Sequence, residues 1–161
     1  MNHYLFRQLA FARACTLRAA AGLNEEQVLF QPEHFNNNIK WNLGHIYFAN
    51  ERFAYFLRGE AMHMPEGFAE LFGTGSKPAD WAGKQLPSLE ELLELLQGQL
   101  ERIERDVEAS MKDSINPYTT STGLTISTVE EALSFCLYHE AMHFDAIKAI
   151  KRSIGRMRLG S

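Results

Sequence analysis

Two histidines near the carboxyl end of the chain have the spacing of a metal-binding pair. His139 and His143 lie four residues apart, in the segment Tyr-His-Glu-Ala-Met-His of residues 138–143. On an α-helix this spacing stacks both imidazoles on one face, where they can hold one metal ion together. The segment also matches the His-Glu-x-x-His pattern of zinc peptidases, in which a glutamate, here Glu140, is the general base. The pair therefore predicts a metal site whose chemistry depends on what completes it.

A zinc hydrolase is one interpretation, but the chain lacks the third ligand that such an enzyme needs. Enzymes with this pattern usually take that ligand from a downstream position. The eighteen residues after His143 contain no histidine or glutamate, and Asp145 falls on another face of the helix. Glu140 lies about 100° around the helix from His139. We therefore expect Glu140 to serve a neighbouring ligand or the surface rather than the reaction.

A di-iron carboxylate site is a second interpretation, because such sites use Glu-x-x-His motifs on bundle helices. The string Glu-Ala-Met-His occurs twice, at residues 60–63 and 140–143. The first copy follows Gly59 and precedes Pro65, so we expect it to lie where a helix has ended. A chance repeat is favoured over a metal site.

A third interpretation adds His45, which lies in the apolar segment Trp-Asn-Leu-Gly-His-Ile of residues 41–46. An unpaired imidazole in such surroundings is costly, so it needs a partner. Three neutral imidazoles suit zinc or nickel, and also iron, and they leave coordination positions open for water or a substrate thiolate. This interpretation requires only that the helices carrying His45 and His139 be neighbours.

Three further side chains are candidates for roles near this site. Asn42 and Arg52 share the predicted helix face of His45, at three residues before it and seven after it, and could contact substrate or support a ligand. Cys136 lies one helical turn before His139, and we interpret it as a packed core thiol rather than a fourth ligand.

Four helical segments must position these side chains. Apolar residues recur with helical spacing in residues 4–21, 39–57, 89–111 and 129–153. Asn37 or Asn38 is the expected N-cap of the second helix, and capping boxes at Ser88 and Ser127 are expected to start the third and fourth. Residues 62–87, rich in glycine and proline, predict a long crossover with a short helix near residues 66–72, and residues 113–125 predict a second loop. The pattern predicts one all-α domain over residues 1–161, a four-helix bundle with a long crossover between the second and third helices.

Composition narrows the possible partners and the location. The net charge is −4, with basic residues clustered only near the carboxyl terminus, which argues against nucleic-acid binding. No apolar run approaches the length of a membrane span, so no membrane partner is expected. Cys15 and Cys136 lie far apart in helical patterns and are expected to be free thiols of a cytoplasmic protein.

The segments at residues 41–46, 71–76 (Leu-Phe-Gly-Thr-Gly-Ser) and 129–147 resemble the DinB/YfiT-like metalloenzymes of the DinB superfamily. The resemblance extends from the first helix to about Arg152. It implies a four-helix bundle, a divalent metal held by His45, His139 and His143, and often a homodimer. Family members often carry Gly-Gln after the last of these histidines, whereas this chain has Phe-Asp at residues 144–145.

Members of that family with known chemistry include transferases and isomerases that depend on a low-molecular-weight thiol: bacillithiol, mycothiol or glutathione. The resemblance does not imply nucleic-acid binding. For this chain it implies a divalent-metal enzyme in which the metal lowers the pKa of a bound thiol or water, so that a nucleophile attacks a small electrophilic molecule. The alternative is a noncatalytic protein whose metal only stabilises the bundle.

Overall fold

The computed structural model describes residues 3–159, with side chains described through residue 155. This part of the chain is mostly helical and carries one small antiparallel sheet. The helices are α1 (Tyr4–Ala20), α2 (Glu25–Leu29), α3 (Ile39–Ala54), α4 (Phe68–Phe72), α5 (Leu89–Val107) and α6 (Val129–Leu159). The strands are β1 (Ser114–Thr119) and β2 (Thr125–Thr128).

Polar capping residues determine where the long helices begin. The Asn38 side chain accepts a hydrogen bond from the Trp41 amide at 2.8 Å and so caps α3, as predicted. At the start of α5, Ser88 and Glu91 form the predicted capping box. The box at α6 lies one residue later than predicted, because Glu131 rather than Glu130 accepts from the Ser127 and Thr128 amides, at 2.7 and 3.2 Å.

The four long helices contact one another in a closed order: α3 packs on α5 and α6, and α1 packs on the same two helices. The central position of α3 shows in its burial, since every one of its residues except Arg52 is buried. α6 continues past the predicted end at residue 153 to Leu159, because Gly155 lies in the helix and does not end it. Within residues 3–159, no helix has both the length and the apolar character needed to span a bilayer.

The crossover of residues 62–87 covers one side of α3. Its short helix α4 lies against α3 at Gly44, where a Cβ atom would lie well inside the contact distance of the Phe72 ring. A glycine is therefore required for this close approach. The packing brings the backbone carbonyl of Phe72 next to His45.

The predicted helical fold is confirmed in the main, but the prediction of a loop at residues 113–125 and of no strands was wrong. Thr119 pairs with Thr125 and Tyr118 with Ile126, while Ile126 is buried in the core. Pro117 cannot donate to a ladder, and the pairing is irregular between Ser114 and Tyr118. The proline suggested a loop, but the β-branched residues on either side favour extended backbone.

Candidate metal centre

The structure brings His45 on α3 together with His139 and His143 on α6. One ring nitrogen from each residue lies within 4.8 Å of those of the other two. The Nε2 atoms of His139 and His143 are 3.3 Å apart. Two nitrogen ligands of a tetrahedral zinc ion, each about 2.05 Å from the metal, are about 3.3 Å apart. The spacing of the α6 pair therefore suits two ligands of one ion.

Backbone and ring contacts orient His45. Its Nδ1–H donates to the carbonyl oxygen of Phe72 at 2.7 Å, since a carbonyl can only accept. The lone pair is consequently on Nε2, the nitrogen that remains available to a metal. The Trp41 ring stacks on the imidazole at a centroid distance of 4.4 Å and an interplanar angle of 12°. Together, these contacts leave the ring little freedom to rotate.

Asn42 orients His143 in the same way. The Asn42 amide nitrogen donates to the Asn38 carbonyl at 2.7 Å, so the side-chain oxygen faces the imidazole. The His143 Nδ1–H donates to that oxygen at 2.7 Å. Its Nε2 therefore carries the lone pair, as in His45. Metal-binding histidines in proteins commonly have such a partner for the nitrogen that does not bind the metal.

His139 differs from the other two imidazoles. Its Nδ1 is buried and has no hydrogen-bond partner within the described part of the chain. His139 therefore lacks the hydrogen bond that fixes the tautomer of the other two imidazoles. Its Nε2 atom faces that of His143, which is the position from which both would bind a metal.

Burial keeps all three imidazoles neutral. It lowers the pKa of His45, and the hydrogen bond to Phe72 opposes this only in part. Burial, with the neighbouring imidazole of His45, lowers the pKa of His139 to about 4. Burial and the two neighbouring imidazoles lower that of His143 to about 2. Neutral imidazole is the form that binds metal, so the residues present fit a divalent zinc, nickel or iron ion.

Glu140 is turned away from this centre and is fully buried. Arg13 of α1 donates to both of its carboxylate oxygens, from Nε at 2.8 Å and from Nη2 at 3.1 Å. The expectation that Glu140 serves a neighbouring ligand or the surface was therefore wrong, because the helix rotation that directs the histidines to α3 directs Glu140 to α1. With both oxygens engaged, Glu140 is not placed to act as the general base of a hydrolase.

A buried polar network extends from this ion pair across the core, and the sequence reasoning missed it. Arg13 also donates to the Leu96 carbonyl at 2.6 Å and to the Gln99 side chain at 3.2 Å. Gln99 in turn donates to Glu51 at 2.8 Å, and Arg102 donates to Glu51 at 2.7 Å. The available signal was the position of Arg13 four residues after Leu9, which places it on the buried face of the first helix.

The other candidate side chains lie as follows. Cys136 is a buried, unpaired core thiol as expected, and burial raises its pKa, so the metal-binding thiolate is disfavoured. The first Glu-Ala-Met-His copy lies outside any helix, as predicted. Arg52 is half-buried, 3.5 Å from the Thr74 hydroxyl and 4.9 Å from the centre of the Tyr118 ring.

A cavity of about 780 Å³ lies elsewhere, between the crossover and α5. Its lining includes Tyr47, Leu71, Leu95 and Arg102 but none of the three histidines. This cavity and the three-histidine centre are therefore separate features of the described residues. Three neutral imidazoles at ligand spacing indicate a functional site more specifically than an open groove does.

Comparisons with known proteins identify the fold and the family of the chain. The chain is similar in fold to the crystal structure of a conserved protein from Enterococcus faecalis, with a TM-score of 0.67 and 13% sequence identity over 92% of this chain and 93% of that one. At this identity the likeness concerns the fold alone. No curated protein matches the chain. The family model of the DinB superfamily matches residues 8–147, and the chain therefore belongs to the DinB superfamily.

Proposed function

We propose that this protein is a divalent-metal-dependent enzyme that transfers a thiol to a small electrophilic molecule or isomerises such a molecule with a thiol as cofactor. The observation that carries the proposal is the set of three neutral imidazoles, two of which have their Nε2 lone pairs fixed by hydrogen bonds to Phe72 and Asn42. In this proposal α1, α3, α5 and α6 are the four-helix bundle of the superfamily, and His45, His139 and His143 hold zinc, nickel or iron.

Several residues of the chain would have separate roles around a bound metal. A divalent metal bound there would supply a Lewis acid that makes thiolate or hydroxide available at neutral pH. Phe72 and Asn42 hold two of the imidazoles in the required tautomer, and the Trp41 ring stacks on His45. Glu140 is not placed to contact the nucleophile, because its carboxylate is buried in the ion pair with Arg13 of α1. This arrangement favours thiol chemistry over hydrolysis assisted by a carboxylate base.

Metal analysis of purified protein tests the three-histidine site. We expect one equivalent of zinc or nickel in the wild type, little in His143→Ala, and wild-type content in His34→Ala, which changes an exposed histidine outside the centre. Equal metal content in wild type and His143→Ala would refute the site.

Turnover tests the activity separately. Metal-loaded and chelator-treated protein would be assayed with glutathione, bacillithiol and mycothiol against a panel of small electrophiles. We expect metal-dependent loss of free thiol. The alternative, a metal-stabilised noncatalytic protein, is favoured if no pair turns over while metal removal lowers the melting temperature. That outcome has a structural basis, because the three histidines would link α3 to α6.

A small-molecule substrate and a homodimer belong to the same proposal, without a nucleic-acid or membrane partner. α1 exposes Tyr4 and Phe11, seven residues apart on one face, with 50% and 68% of their surface accessible. Apolar side chains in such a row suit a contact between two copies. Light scattering should give a dimer mass that Phe11→Glu reduces to that of a monomer, and a monomeric wild type would refute the dimer.

A further inference from the structure

Arg52 differs from the other described arginines that are at least partly buried. It is the one residue of α3 that is not buried. Arg13 and Arg102 pair with buried glutamates, and Arg58 pairs with Glu60. None of the ion pairs formed within residues 3–155 includes Arg52. The side chain of Arg52, a half-buried residue, thus has no anionic partner among residues 3–155.

Contacts within the protein hold the Arg52 side chain but use little of its hydrogen-bonding capacity. Its guanidinium carbon lies 4.9 Å from the centre of the Tyr118 ring, a cation–π contact that orients the planar group. One nitrogen lies 3.5 Å from the Thr74 hydroxyl, at the limit of a hydrogen bond. A guanidinium has five N–H donors and can bind a carboxylate with two of them at once. The group is therefore oriented and still able to bind an anion.

The position of Arg52 connects it to the candidate metal centre. It lies seven residues after His45 on the same face of α3, a rise of about 10 Å, and helical side chains lean toward the amino end. Thr74 follows Phe72 by two residues, so one short segment contacts both Arg52 and His45.

On the other side, a series of ring contacts runs from the β-hairpin to His139. Tyr118 packs on Phe53 at a centroid distance of 5.4 Å, Phe53 on Phe135 at 5.1 Å, and Phe135 on His139 at 6.1 Å. Through Tyr118, the Arg52 guanidinium is therefore connected to the imidazole of His139 by three successive ring contacts.

We propose that Arg52 binds an anionic group of the carboxylate class on the molecule whose other end reaches the three histidines. The inference rests on the proposed function and narrows it: the ligand has a metal-binding group and a carboxylate that are separated by about 10 Å, the rise of α3 between His45 and Arg52. A neutral molecule of the same length would leave the guanidinium without an anion. Arg52 is thus the specificity-determining residue for charge.

A matched pair of thiols tests this assignment. Cobalt(II)-loaded protein would be titrated with mercaptohexanoate and with mercaptohexanol, and thiolate binding would be followed by the visible absorption of the cobalt. We expect the wild type to bind mercaptohexanoate at least about tenfold more tightly, because the carboxylate gains a charge-assisted hydrogen bond. In Arg52→Met the ratio of the two affinities should fall to about one, because only mercaptohexanoate binds more weakly. Arg52→Lys should keep part of the preference for mercaptohexanoate.

Controls separate this inference from the proposed function. Arg7→Met removes an exposed arginine of α1 and should leave the ratio at its wild-type value. Equal affinities for the two thiols in the wild type, or an unchanged ratio in Arg52→Met, would overturn the role of Arg52 while leaving thiol binding intact. If neither thiol binds, the proposed thiol chemistry fails. The affinities are then compared for two metal-binding hydroxamates, one that ends in a carboxylate and one that ends in a hydroxyl. Equal affinities for these two also overturn the role of Arg52, whereas tighter binding of the carboxylate that is lost in Arg52→Met supports it.

Discussion

Replacing Arg13 by methionine should destabilise the protein far more than the loss of an ordinary surface charge. Arg13 and Glu140 have 4% and 0% of their side-chain surface exposed. Both hydrogen bonds that the Glu140 carboxylate accepts come from Arg13. Removing one partner of a buried ion pair typically costs about 3 to 5 kcal/mol, because the remaining charge is buried without compensation. The Leu96 carbonyl and the Gln99 side chain lose a donor in the same variant.

A double-mutant cycle separates the loss of the Arg13–Glu140 ion pair from the loss of packing around Arg13. Arg13→Met, Glu140→Gln and the double variant would be compared by urea unfolding of metal-free protein at pH 7. We expect Arg13→Met to lower the free energy of unfolding by about 3 kcal/mol or more, and the double variant to lose clearly less than the sum of the two single losses. The double variant should recover stability because it no longer buries an unpaired charge.

An exposed pair provides the control for this cycle. Arg105 donates to Asp106 at 3.1 Å, with 69% and 31% of the two side chains exposed. Arg105→Met should change the free energy of unfolding by no more than about 1 kcal/mol. A loss below about 1 kcal/mol in Arg13→Met, or strict additivity in the double variant, would refute the view that this pair holds α1 against α6.

Three other predictions concern the surroundings of the histidines. Asn42→Ala should weaken zinc binding about 10- to 100-fold in chelator competition, because it removes the hydrogen bond that orients His143, and an unchanged affinity would contradict that role. Gly44→Ala should cost about 1 to 3 kcal/mol in urea unfolding, because the methyl group would collide with the Phe72 ring, whereas Gly98→Ala on α5 meets nothing within 4 Å and should be neutral or stabilising. Metal-free protein should lose stability as the pH falls below about 6.5: the folded state keeps buried imidazoles such as that of His143 neutral, while the unfolded chain takes up their protons. The loss should approach about 1.4 kcal/mol per pH unit for each such group, and stability that stays flat down to pH 5 would exclude the lowered pKa values.

Local sequence patterns predicted most of the helical framework. Caps such as Asn38 and Ser88 act on the amides of the next turn, so their effect is visible within a few residues. The hairpin was missed because Pro117 and Gly123 are typical of loops. The strands depend instead on pairing with each other and on burial of Ile126, which the local sequence does not reveal. A two-stranded sheet of this length needs the core to support it.

The sequence alone determined that His139 and His143 share a helix face, because a spacing of four residues decides that through the period of the helix. It also indicated His45 as a polar residue in an apolar helix that needed a partner. Only the tertiary structure decided the roles of their neighbours. The Phe72 carbonyl reaches His45 across 27 positions of sequence, and Arg13 reaches Glu140 across 127. Such partners depend on how the helices pack and rotate against one another, and the spacing of residues along the chain does not determine this packing.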